Sequence, residues 1–227
     1  MNKIILSARD WRIYRALWLL MVMALVVDLC AVLMESELLM NPAATLTAVE
    51  TSDWLSFSSE AVCLLSLCGL FWLLRSGREV PIRWRNGCVA AFVVTLAYAI
   101  TSKLPTLLFG PLSLDDGHWL VDFFNSCANI LMLLVSATMM ALFMLGASLC
   151  ERVGKWSVVA CSAIAINAPL IVTFFFLGIQ EDTAPWQEVV VGLLILLLFL
   201  IPVVALRAIV GGEETEQEGQ GRPWNQP

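Results

Sequence analysis

What most constrains this chain is that its apolar residues come in blocks about as long as a membrane is thick. Six such blocks can be read off: Ala16 to Met34, Leu55 to Leu74, Gly87 to Ser102, Trp119 to Leu149, Ser157 to Ile179 and Val189 to Val210. A helix needs roughly 20 apolar residues to cross about 30 Å of hydrocarbon. Short joints carrying charge or proline separate the blocks. Hydrophobic residues make up 59% of the chain and charged residues 14%, where a soluble domain carries about 25% charged residues. A surface built from so few polar groups cannot face water, so lipid is the expected solvent.

Lipid restricts the backbone as well. An unpaired amide in hydrocarbon costs several kcal/mol, whereas a helix satisfies its own amides. The alternating pattern of a membrane β-strand is absent. The expected fold is therefore an all-α integral membrane protein, a bundle of about six transmembrane helices. The first block follows Lys3, Arg9, Arg12 and Arg15, as a signal peptide would, but it is too long and no small residues lead to a cleavage point. Bulky Leu29 before Cys30 likewise argues against a lipoprotein anchor.

Lysine and arginine set the expected orientation. The N-terminal stretch holds Lys3, Arg9, Arg12 and Arg15; the joint after the second block holds Arg75, Arg78, Arg83 and Arg85. Arg152 and Lys155 follow the fourth block, and Arg207 closes the sixth. All of these fall on one side, while the other carries Lys103 among Glu35, Glu37, Glu50, Asp53, Asp115, Asp116, Glu181, Asp182 and Glu188. Both termini are therefore expected in the cytoplasm and the chain in the cell membrane, crossing it several times. The net charge of −6 sums a basic inner rim, an acidic outer face and an acidic tail. The basic clusters are short and border a membrane, which fits contact with anionic lipid and not with nucleic acid.

Three segments follow: residues 1–15 as a cytoplasmic interfacial segment, 16–210 as the membrane bundle, and 211–227 as an acidic cytoplasmic tail expected to be disordered. Ile4, Ala8 and Trp11 share a helical face with Arg9 and Arg12 off it, as in a helix lying in the interface. Asn41-Pro42 marks a turn in the longest outer connection. Pro105, Gly110 and Pro111 among Leu104, Leu107, Leu108 and Phe109 read either as an apolar loop or as a re-entrant segment. Seven cysteines lie in or beside the spans without Cys-x-x-Cys spacing, as packing residues do.

Polarity inside the blocks marks the candidate site. Asp28 sits about seven residues below the outer boundary, where an ionised acid is costly unless it meets a partner, a wet cavity or a proton. A proton or cation site and a structural hydrogen bond are both open to it. Asp122, Asn125, Asn129 and Ser136 are spaced by three, four and seven along one helical stripe, either a polar wall or interhelical glue. His118 stands one turn from Asp122; as the only histidine it leaves a metal site dependent on carboxylates. Lys103 is placed to neutralise Asp122 or Glu60. Asn167 beside Pro169 falls at the middle of the fifth block, where proline frees the carbonyl of Ala165. Pro202 reads as a plain kink, and Thr95, Tyr98 and Ser102 share a face of the third block.

Phosphate-binding glycine loops, Gly-x-Ser-x-Gly and His-Glu-x-x-His are missing. A single histidine excludes a bis-histidine haem, and no cofactor or metal is implied. The leading expectation is a bundle that binds or transports a small molecule or ion through a polar interior open to the outer side. Asp28, Asn125, Asn129 and Asn167 would line that interior. The alternative is a non-catalytic assembly or sensory subunit that docks a membrane or cytoplasmic partner protein. An intramembrane enzyme using His118 and Asp122 stands third.

Overall fold

The computed structural model describes residues 4–40, 46–78, 80–110, 119–148, 151–176 and 185–212. Its elements in chain order are β1 (Ile4–Leu6), α1 (Ala8–Met40), α2 (Leu46–Leu74), α3 (Ile82–Phe109), α4 (Trp119–Ala147), α5 (Glu151–Phe176), α6 (Pro185–Ile209) and β2 (Val210–Gly212). Each helix packs on its neighbours in sequence, and α6 returns to pack on α1. The helices therefore close into a ring.

Four helices are long and apolar enough to cross a membrane: Ala8–Ala31, Glu50–Leu74, Ile82–Phe109 and Trp119–Ala147. The expected number was six. Helices α5 and α6 contribute shorter apolar stretches, Val153–Asn167 and Leu193–Ile209, among the described residues. The bundle exterior is apolar, with Leu19, Met23, Leu65, Val93, Ile100, Ile130, Met144, Val158 and Ile166 exposed. Such a surface suits lipid and is an aggregation hazard in water.

The helix ends differ from the apolar blocks for identifiable reasons. Helix α1 begins at Ala8, not near residue 16, because Ser7 caps it: its Oγ accepts the Asp10 N–H at 3.2 Å. Residues 8–15 are thus continuous in one helix with the first apolar block. Helix α3 runs through Pro105 to Phe109 and stops at Gly110, whose φ of 83° suits glycine and whose N–H donates to Thr106 O at 2.9 Å. Proline removes one helical hydrogen bond but did not end the helix. Lys103 consequently sits on α3 instead of in a loop. The turn at Asn41-Pro42, residues 111–118 with Asp115, Asp116 and His118, and the acidic tail from residue 213 lie outside the described residues.

The tightest packing is at the end of the bundle that bears the arginines. Ile4, Leu6, Tyr14, Phe71, Leu74, Trp84, Leu142, Phe143 and Leu206 are fully buried there. Strands β1 and β2 pair in parallel, Ile4 with Val210, Ile5 with Gly211 and Leu6 with Gly212. The Arg78 N–H adds a bond to Ile5 O at 2.9 Å, so the joint between α2 and α3 joins the same knot. Trp11 lies so close to Gly212 that a Cβ there would stand 2.4 Å from its ring.

The last carbonyls of a helix lack intrahelical partners, and aromatic side chains at this end serve two of them, with further side-chain bonds landing on carbonyls inside the helices. Tyr14 Oη donates to Leu206 O at 2.8 Å, and Trp84 Nε1 donates to Leu74 O, the last residue of α2, at 3.1 Å. Trp18 Nε1 reaches Val203 O on α6 at 2.9 Å. Ser157 Oγ lies 2.6 Å from both Phe143 O of α4 and Val153 O of its own helix, and donates its one proton to either.

Helices α3, α4 and α5 meet over Gly146, where a Cβ would stand 2.6 Å from Val153 Cγ1 and 2.8 Å from Trp84 Cζ3. Both neighbours are fully buried and cannot yield easily. Gly146→Ala is expected to destabilise the chain by about 1–3 kcal/mol through overpacking. Gly154→Ala, whose Cβ would meet nothing closer than Ala147 O at 3.8 Å, serves as the control and should be neutral or better. Melting midpoints in mild detergent measure both; equal midpoints would contradict this packing.

Candidate functional site

Away from the arginine-bearing end, the α1–α2–α3 contact carries the polarity. Asp28 on α1 is only 8% exposed. Ser56 and Ser59 of α2 direct their hydroxyls at the same carboxylate oxygen, Oδ1, at 2.9 and 3.1 Å. Ser59 Oγ also lies 2.9 Å from Ser56 O. A hydroxyl has one proton to give, so the two Ser59 bonds are alternatives. Oδ2 of Asp28 has no donor among the described residues.

The serines belong to a stripe that composition alone hides. Ser52, Ser56, Ser59, Cys63 and Ser66 recur at intervals of four and three on α2, which places them along one face. Ser52 Oγ donates to Ala31 O of α1 at 3.3 Å, about one turn beyond Asp28. Small side chains let two helices approach closely in lipid, and hydroxyls supply interhelical bonds. The signal was present in the spacing, but serine is common enough that the four-three pattern goes unnoticed without Asp28 opposite it.

Lys103 of α3 forms an ion pair with Glu60 of α2. Its ammonium also lies 5.3 Å from the centre of the Phe57 ring. The lysine side chain is 15% exposed and that of Glu60 47%, so the acid is the member facing outward. Asp28 acts electrostatically on Lys103 as well. Lys103 pairs with Glu60 and not with Asp28, and the three groups together carry one net negative charge when all are ionised. Such a site can accept one proton or one small cation.

The other sequence-predicted residues do not join this cluster. Asn167 on α5 is buried and donates from Nδ2 to Ile195 O of α6 at 3.4 Å, leaving its Oδ1 buried without a partner. On α4, Asp122 and Asn125 are exposed, and Asn129 and Ser136 are half-buried, with Ser136 Oγ bonded back to Met132 O at 3.2 Å. The stripe is therefore graded from exterior to interior instead of forming an inward wall. Tyr98 reaches Met132 Sδ at 3.7 Å across α3 and α4, and Thr95 is fully buried with its hydroxyl unpartnered. His118 lies outside the described residues. Among the described residues no three His, Cys, Asp or Glu side chains gather closely enough to hold a metal ion.

Comparisons with protein-family models, characterised proteins and solved structures return no match. The chemistry of the site therefore rests on its own geometry.

Removing one partner of a sheltered ion pair strands the other, while removing both does not. Lys103→Met and Glu60→Gln are each expected to lower stability by more than the double variant implies. The cycle should give a coupling of about 1 kcal/mol, read from melting midpoints in detergent. Strict additivity would show that the pair contributes nothing.

Proposed function

We propose that this protein is a multi-pass protein of the cell membrane that binds or transports a proton or small cation at Asp28, its six helices all crossing the bilayer. The single observation that carries this reading is the sheltered Asp28 carboxylate, bonded at one oxygen and open at the other. Hydrocarbon penalises a lone carboxylate, so a group with an open oxygen either holds a proton or attracts a cation. Lys103 and Glu60 complete the cluster on the side away from the arginines.

Six crossings are supported by the pairing of β1 with β2, which brings the residues before α1 and after α6 to one end of the bundle and requires an even number of passages. Helices α5 and α6 have 26 and 25 residues, and at 1.5 Å per residue each reaches about 38 Å, enough to span. The arginines and lysines gathered at that end support a cytoplasmic position for it. The polar cluster then lies in the outer half, and the fully packed aromatic layer closes the inner end.

The assembly-subunit reading draws support from a different place. Asp122 and Asn125 are exposed on α4 beside exposed Phe123 and Ile130, as a polar contact with a second membrane protein would be. Copurification in mild detergent separates the two readings: a stoichiometric companion supports the subunit.

Asp28→Asn should abolish proton or sodium movement driven by a diffusion potential in proteoliposomes. Ser56→Ala should slow that movement without abolishing it. Unchanged flux together with an unchanged pH profile in Asp28→Asn would end the ion-handling role.

A further inference from the structure

At the arginine-bearing end, a cleft of 460 Å³ opens between the end of α2 and the start of α3, lined by Arg75, Ser76, Arg85, Asn86 and Val89. We infer that this cleft binds the phosphate of an anionic phospholipid headgroup. The proposal is independent of the ion-handling role of Asp28.

Four features of the cleft select a phosphate anion. Two guanidinium groups line one small space, and a guanidinium offers several N–H donors in a planar fork that matches phosphate oxygens. Among the described residues neither Arg75 nor Arg85 pairs with a carboxylate. The cleft adjoins the N-terminus of the long helix α3, where Pro81 is the cap residue and supplies no side-chain cap. The first backbone N–H groups of α3 carry the positive end of the helix dipole at this end of the bundle. Asn86 adds an amide able to donate to an oxygen.

The surroundings favour a lipid over a soluble phosphate. Arg75 stacks its guanidinium 3.7 Å from the centre of the Trp72 ring, and Trp72, Ile82 and Val89 are exposed apolar side chains near the cleft. Indole rings concentrate at the depth of lipid headgroups. A ligand with a phosphate and acyl chains satisfies both the polar lining and the apolar edge, which free phosphate does not. The carboxylate adjoining the cleft, Asp10, accepts the Ser76 hydroxyl at 3.2 Å. The same hydroxyl lies 2.7 Å from Leu73 O, its alternative acceptor, and the Asp10 charge opposes an anion that the two arginines favour.

The test uses the full chain in neutral detergent, with the melting midpoint followed as phosphatidylglycerol, phosphatidylcholine or inorganic phosphate is added. Phosphatidylglycerol alone should raise the midpoint. Arg75→Gln/Arg85→Gln should weaken that response at least about tenfold, the loss expected when two charge-assisted bonds are removed. Arg152→Gln/Lys155→Gln, which removes the same charge from the other basic joint, should respond like the wild type. Should the double variant fold poorly, Arg85→Gln alone changes an exposed residue and should still weaken the response. An arginine-dependent shift with inorganic phosphate alone supports the phosphate site and assigns it to a soluble ligand. Equal responses to both lipids, or equal losses in the two charge-removing variants, overturn the site.

Discussion

In hydrocarbon a polar group must find its partner inside the protein, because no water is available to take its place. Most of this structure is arranged by that requirement. Backbone amides are consumed by six helices, and two carbonyls left over at the helix ends are taken up by Tyr14 and Trp84. Two of the bonds from α1, those of Tyr14 and Trp18, land on α6, the last helix of the chain. The rule that satisfies the backbone therefore also closes the ring. The strand pair finishes the closure by giving the chain ends each other as partners.

The same requirement divides the molecule into two unlike ends. At the arginine-bearing end, polar groups are capped and aromatic rings fill the space between helices, with Arg207 lying 4.4 Å from the centre of the Trp11 ring. Toward the other end the contacts turn to serine, carboxylate and ammonium, and satisfaction becomes incomplete. Asp28 has one oxygen served, Thr95 has no partner, and Asn167 has only its amide engaged. Dense packing at one end and open polarity toward the other is the layout of a site reached from a single side. It is also the reason that ion handling is proposed for Asp28 and not for the better-packed polar groups.

The sequence made the helical, lipid-facing character legible, because block length and charge placement report on the solvent directly. Local boundaries were less legible where a single residue decides them. Ser7 extends α1 well ahead of its apolar run through one capping bond. Pro105 resembled a break, yet its cost was small enough for α3 to continue to Phe109. Asp28 stood out because acids are rare in such segments, and the pairing of Lys103 with Glu60 was one of two partners its position allowed. The serine face of α2 was hidden, since its meaning comes from the carboxylate on another helix. Helical spacing also placed Asp122, Asn125, Asn129 and Ser136 on one stripe without revealing which neighbours it meets. The answer depends on how α4 is rotated, which is a property of the whole ring.

The account stands on an even number of crossings, with both chain ends on the arginine-bearing side. Compartment-sensitive reporters fused at Asn41 and at Gln220 test this most directly, one between α1 and α2 and the other beyond β2. The account predicts opposite compartments, with the Gln220 fusion in the cytoplasm and the Asn41 fusion outside. Matching compartments for the two fusions would contradict it.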